Sequence, residues 1–140
     1  MSSASTSSGN RTSELQEMRL VFRGLQTLYQ TYLPKVDPIL IHDLLVREHE
    51  KSERAPFYMV EIFTRPETDS EVMKDRIFER TGMVPAIYDK GTHYVTNQRL
   101  TLEALKEICN SDDVIEVTGD YTGTLTGRGA SHEHKHKEEG

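Results

Sequence analysis

The chain has 140 residues, 35% hydrophobic and 29% charged, with a formal net charge of −6. That is enough for one domain with a real core plus an appendage, and apolar runs such as those near residues 39–41 and 44–46 fall far short of the roughly 20 residues that cross a bilayer. The acidic excess lies in residues 56–121, thirteen Asp/Glu against seven Lys/Arg, and no basic stripe with interleaved aromatics offsets it, so neither nucleic acid nor a membrane is an expected partner.

Residues 1–12 are rich in Ser, Thr, Gly and Asn and are expected to be disordered. Ser13 then opens a helix, with Gln16 completing a capping box. Leu15, Met18, Phe22, Leu25, Tyr29 and Tyr32 follow at spacings of 3, 4, 3, 4 and 3, an a/d heptad stripe. Leu20, Val21 and Leu28 widen it beyond a pure coiled-coil seam. Pro34 stops this helix, and Asp37-Pro38 starts the next, with Asp as cap and Pro at the first helical position. Ile41, Leu44 and Leu45 supply its apolar side. The short connector predicts a helical hairpin over residues 13–51. This hairpin either packs on the rest of the chain or dimerises through the six stripe residues.

After a polar linker, residues 56–121 follow a β-α-β-β-α-β pattern. Phe57–Thr64 alternates as a strand, with Tyr58, Val60 and Ile62 on one face and Phe57, Met59, Glu61 and Phe63 on the more exposed one. Thr68 and Glu71 form a second capping box, Val72, Met73, Ile77 and Phe78 make the inner side of that helix, and Gly82 ends it. Residues 83–88 read as a strand that Pro85 places at a sheet edge. Asp89-Lys90-Gly91 is a hairpin turn, and residues 92–100 form the third strand, whose buried face the alternation leaves open. Thr101 caps a helix carrying Leu102, Leu105, Ile108 and Cys109 on one side, and residues 114–118 form the last strand. The fold class expected is therefore α+β, a ferredoxin-like antiparallel sheet with two helices on one face, preceded by the helical hairpin. Residues 122–140, Gly/Thr-rich and then His/Lys/Glu-rich, are expected to form a disordered tail.

The chemistry-bearing residues are few. His132, His134 and His136 form an H-x-H-x-H run whose imidazoles could bind nickel, copper or zinc weakly; no other cofactor is expected. His42 and His49 stand two helical turns apart, too far for one metal. His93, near Asp89 and Tyr88, is the one ionisable cluster of the sheet, but neither a Ser or Cys nucleophile nor an oxyanion loop accompanies it, so no enzyme activity is expected. Cys109 lies on an apolar helix side, and the acidic neighbours Glu107, Asp112 and Asp113 are expected to raise its pKa. A lone cysteine, with no apolar stretch in the first residues, points to a reducing cytoplasm.

Residues 92–121 resemble the closing half of the subtilisin-propeptide and proteinase B inhibitor family. Leu100-Thr101 stands at the helix cap, with Leu102, Leu105 and Ile108 on the helix. Asp112-Asp113 stands at the turn, Val114 and Val117 on the last strand, and Asp120 at its end. Residues 58–64 fit the family's opening strand. The resemblance implies a ferredoxin-like fold and a segment after the last strand that lies in a subtilisin-type protease cleft like a substrate. The matching positions are Tyr121, Thr122, Gly123, Thr124 and Leu125. The function expected is thus a non-catalytic protein-binding module, whose most concrete version is an inhibitor-like or propeptide-like role. The alternative is a dimeric ferredoxin-like protein that senses a small molecule or a metal.

Overall fold

The computed structural model describes residues 7–50 and 54–123, with side chains from residue 12 onward. The chain divides into two compact units, Met1–Pro34 and Lys35–Gly140. The first holds helix α1, Ser7–Tyr32. It starts six residues before the Ser13 cap, because extending a formed helix adds one hydrogen bond for each residue ordered, even through Ser, Gly and Asn. Its last turn closes with the Leu33 amide donating to the Tyr29 carbonyl at 2.7 Å, and Pro34 ends it.

The second unit runs α2 (Pro38–His49), β1 (Phe57–Thr64), α3 (Ser70–Thr81), β2 (Ala86–Tyr88), β3 (His93–Arg99), α4 (Leu102–Cys109) and β4 (Val114–Gly123). The strands form one antiparallel sheet in the order β2-β3-β1-β4. The expected hairpin over residues 13–51 therefore spans the boundary between the units, and α2 is built into the sheet unit. Just before α2, the Asp37 amide donates to the Val117 carbonyl and the Val117 amide to the Lys35 carbonyl, at 2.9 and 2.8 Å. These bonds lay residues 35–37 along the outer edge of β4. The Lys35 ammonium then donates to the carbonyls of Cys109 and Ser111, a cation on the negative end of α4.

One sheet face carries the core. Tyr58, Val60, Ile62 and Thr64 of β1, Tyr94, Thr96 and Gln98 of β3, and Val117 of β4 are buried. So are Leu40, Ile41 and Leu44 of α2, Met73 and Ile77 of α3, and Leu105 and Ile108 of α4. Gly119 belongs to this face too: a Cβ there would stand 2.7 Å from the Met59 carbonyl oxygen and 3.5 Å from Leu40.

Several local expectations shift. The cap of α3 is Asp69, whose carboxylate accepts from the Glu71 and Val72 amides, instead of Thr68. A carboxylate reaching two of the unpaired amides of a helix start outcompetes a hydroxyl one residue earlier. Val72 and Phe78, expected inward, are 45% and 49% exposed, because Met73 and Ile77 alone fill the side of α3 that meets the core. The second strand shortens to three residues at the edge, and Asp89 and Lys90 both take positive φ, 54° and 59°. With the Gly91 amide bonded to the Tyr88 carbonyl, this is a type I′ turn.

Candidate functional site

Two surfaces stand out, one on each unit. On α1, Leu15, Met18, Leu20, Val21, Phe22, Leu28 and Tyr32 are all at least half exposed, Met18 at 66% and Phe22 at 60%. Of the six stripe residues, Leu25 is intermediate and Tyr29 buried. Met18, Arg19, Phe22 and Arg23 line a shallow groove on the helix. Scattered exposed apolar residues are ordinary, whereas a continuous row on one helix marks a contact surface. A helix of this kind gains most of its stability from packing its apolar face, not from intrinsic propensity.

The second surface is the sheet face opposite the core, where His93 is central. Its Nε2 shares a 2.8 Å hydrogen bond with a Glu61 carboxylate oxygen, and its Nδ1 lies 3.6 Å from Asp89. Phe63, directly across from it in the register, stacks on the imidazole with centroids 4.4 Å apart and planes 13° from parallel. Tyr88 leans on it at 5.4 Å. Glu61 thus holds one ring nitrogen, while Asp89 stands beyond hydrogen-bond distance of the other. The arrangement ties the β2–β3 turn to the centre of the sheet. The expected Asp89, Tyr88 and His93 grouping forms. Glu61 and Phe63 join it without a signal in the sequence, because the β1–β3 register that brings them together is non-local.

At the opposite end of β1, α2 is fastened to the sheet. The wholly buried Tyr58 donates its hydroxyl proton to Asp43, Asp43 accepts a 3.1 Å bond from Arg47, and the Arg47 guanidinium lies 3.4 Å over the Tyr121 ring. Tyr121 in turn meets Tyr58 edge-on at 5.6 Å. Burial, followed by the Asp43 hydrogen bond and charge, pushes the Tyr58 pKa upward.

Of the inhibitor-like segment, Tyr121, Thr122 and Gly123 belong to β4. Tyr121 pairs with Tyr58 and Gly123 with Phe57, and the Thr122 hydroxyl donates to the Phe57 carbonyl. Thr124, Leu125, His132, His134 and His136 lie outside the described residues. Among the described residues, His, Cys, Asp and Glu form no group of three or more that could hold a metal, and no helix is long and apolar enough to cross a membrane. The Cys109 pKa is raised, as expected, but by a different cause. Burial raises it, while the charges acting on it, Lys35 and Lys106, pull it down. The acidic neighbours in sequence are not what sets it.

No family model, curated protein or solved structure matches the chain.

Proposed function

We propose that this chain is a non-catalytic protein-binding module, in which a ferredoxin-like unit serves as scaffold and α1 is the contact surface. The observation that carries the reading is the row of large apolar side chains standing in water along α1. Support for the scaffold comes from the strand order β2-β3-β1-β4, with a helix between β1 and β2 and another between β3 and β4. The inhibitor-like version requires more: residues 121–123 would have to leave their partners on β1 to lie in a protease cleft. It therefore predicts that the full chain slows a subtilisin-type protease only if this end of β4 detaches.

A photo-activatable side chain at Met18 of the full chain, expressed in the cells that make the protein, tests the reading. Protein adducts should form at Met18 and not at Glu67, an exposed loop position. Absence of adducts at Met18, or equal labelling at Glu67, defeats it.

A further inference from the structure

We infer that α1 joins copies of this chain side by side and in parallel, in a bundle of more than two helices; this rests on the protein-binding reading and names its partner. With Leu15 at a, every a and d position from residue 15 to residue 32 is apolar or aromatic; Leu15, Met18, Phe22 and Tyr32 of these are exposed, whereas Tyr29 is already buried within the chain. The g positions add Val21 and Leu28, whereas b and c hold Gln16, Glu17, Arg23, Gly24, Gln30 and Thr31. Leu20, at f, is the one apolar residue of this stretch outside a, d and g. A seam of a and d alone satisfies one neighbour, as in a two-stranded coiled coil. A stripe that also includes g is wide enough to face neighbours on both sides. Val21, 61% exposed, and Leu28, 52% exposed, have nothing to cover them in a two-helix seam.

Charge favours a second copy and one direction. Glu14 falls at g and Arg19 at the e position five residues later. In parallel helices the g residue of one faces the following e residue of its neighbour. A second copy in parallel therefore sets Glu14 against Arg19 and repeats that pair around the bundle. Antiparallel helices bring g against g and e against e, which separates the two charges. The other e position within the stripe, Gln26, is neutral, so no like-charge contact opposes the parallel arrangement. Gly24 sits at c, away from the seam, and a Cβ there would meet nothing of the chain itself within 4 Å.

Sedimentation of the full chain from about 1 to 100 μM should give a mass of three or more chains at the upper end. Met18→Glu with Phe22→Glu should reduce it to one. Arg19→Glu should weaken association roughly two- to fivefold, the size of an exposed ion pair, and adding Glu14→Arg should restore it. For direction, Leu15→Cys in a Cys109→Ser background should oxidise to linked pairs on its own. A monomer at 100 μM, or a mass of two chains only, overturns the inference. Linkage that appears only when Leu15→Cys chains are mixed with Tyr32→Cys chains overturns the parallel arrangement. If the chain is monomeric while adducts to another protein still form at Met18, self-assembly has failed and the protein-binding reading stands. If no adducts form either, both have failed.

Discussion

Asp43 is the polar point at which α2, already packed through Leu40, Ile41 and Leu44, is held to the sheet, and its removal has a calculable cost. Tyr58 is 0% exposed, so Asp43→Ala leaves a buried phenol without an acceptor, at about 1–3 kcal/mol. The Arg47 pair contributes less, since its partners' side chains are 30% and 38% exposed; solvent screening holds it to about 0–1 kcal/mol. A loss of roughly 2–3 kcal/mol is expected for Asp43→Ala. Asp43→Asn keeps an acceptor and should lose only about 1 kcal/mol. Tyr58→Phe removes the donor, and its effect combined with Asp43→Ala should fall short of additivity by about 1–2 kcal/mol. Urea unfolding of the full chain, followed by circular dichroism, measures all four. The sign with pH also follows. The folded pKa of Tyr58 is raised, so its contribution is complete below the unfolded value of about 10 and is lost as pH rises beyond it. Tyr58→Phe should therefore flatten the decline in stability above about pH 10; Tyr94, whose pKa burial also raises, contributes to the part that remains. An Asp43→Ala variant within about 0.5 kcal/mol of the parent, with no coupling to Tyr58→Phe, would refute the reasoning.

Two further substitutions test the core. Gly119→Ala should destabilise by about 1–3 kcal/mol, the usual cost of overpacking, because its Cβ would meet the Met59 carbonyl oxygen at 2.7 Å, backbone that cannot swing aside; a midpoint in urea equal to the parent's contradicts this. Thr96 is 3% exposed and its hydroxyl has no hydrogen-bond partner among the described residues, so Thr96→Val, which keeps the shape, should stabilise by about 1 kcal/mol, and a lower thermal midpoint than the parent's would show that the hydroxyl is satisfied.

What can be read from the sequence follows from the range over which each signal acts. The Asp37-Pro38 cap, the Gly82 stop with its φ of 77° and the alternation in Phe57–Thr64 are encoded within a few residues, and each lies where its pattern indicates. The connector over residues 33–37 carries no local sign that residues 35–37 run along β4, because the bridge there joins Val36 to Val117, far apart in the chain. The same holds for Glu61 with His93. Both lie on the face opposite the core, yet only the pairing of Phe63 with His93 brings the carboxylate to the ring. In β3 the alternation leaves two faces open, since Tyr94, Thr96 and Gln98 on one side and His93, Val95, Asn97 and Arg99 on the other are both mixed in polarity. The neighbours of β3 in the sheet decide the matter, burying the first set opposite Ile62, Val60 and Tyr58. The heptad row on α1 is legible as a pattern, and its exposure in the chain can be learned only from the fold.

Cys109 shows how the same limit applies to charge. Acidic residues stand close to it in sequence, but the charges that act on the thiol are those of Lys35 and Lys106, and burial outweighs both lysines to leave its pKa raised. At pH 8 less of the thiol is thiolate than in a free cysteine, and the thiolate is the species that reacts. Iodoacetamide should therefore alkylate Cys109 in the native chain more slowly than it alkylates the same chain in urea. The thiol is only partly buried, so the native reaction should still run to completion without unfolding. Linkage gives the companion sign. A raised folded pKa means a contribution to stability that is present below the unfolded thiol value of about 8.5 and is lost as pH rises past it. Cys109→Ala should remove that part of the alkaline decline, which begins below the window of Tyr58. The measurement is the alkylation rate against pH for native and unfolded chain. A native rate equal to or above the unfolded one would mean that the lysines outweigh burial, and would turn Cys109 from an inert thiol into a reactive one.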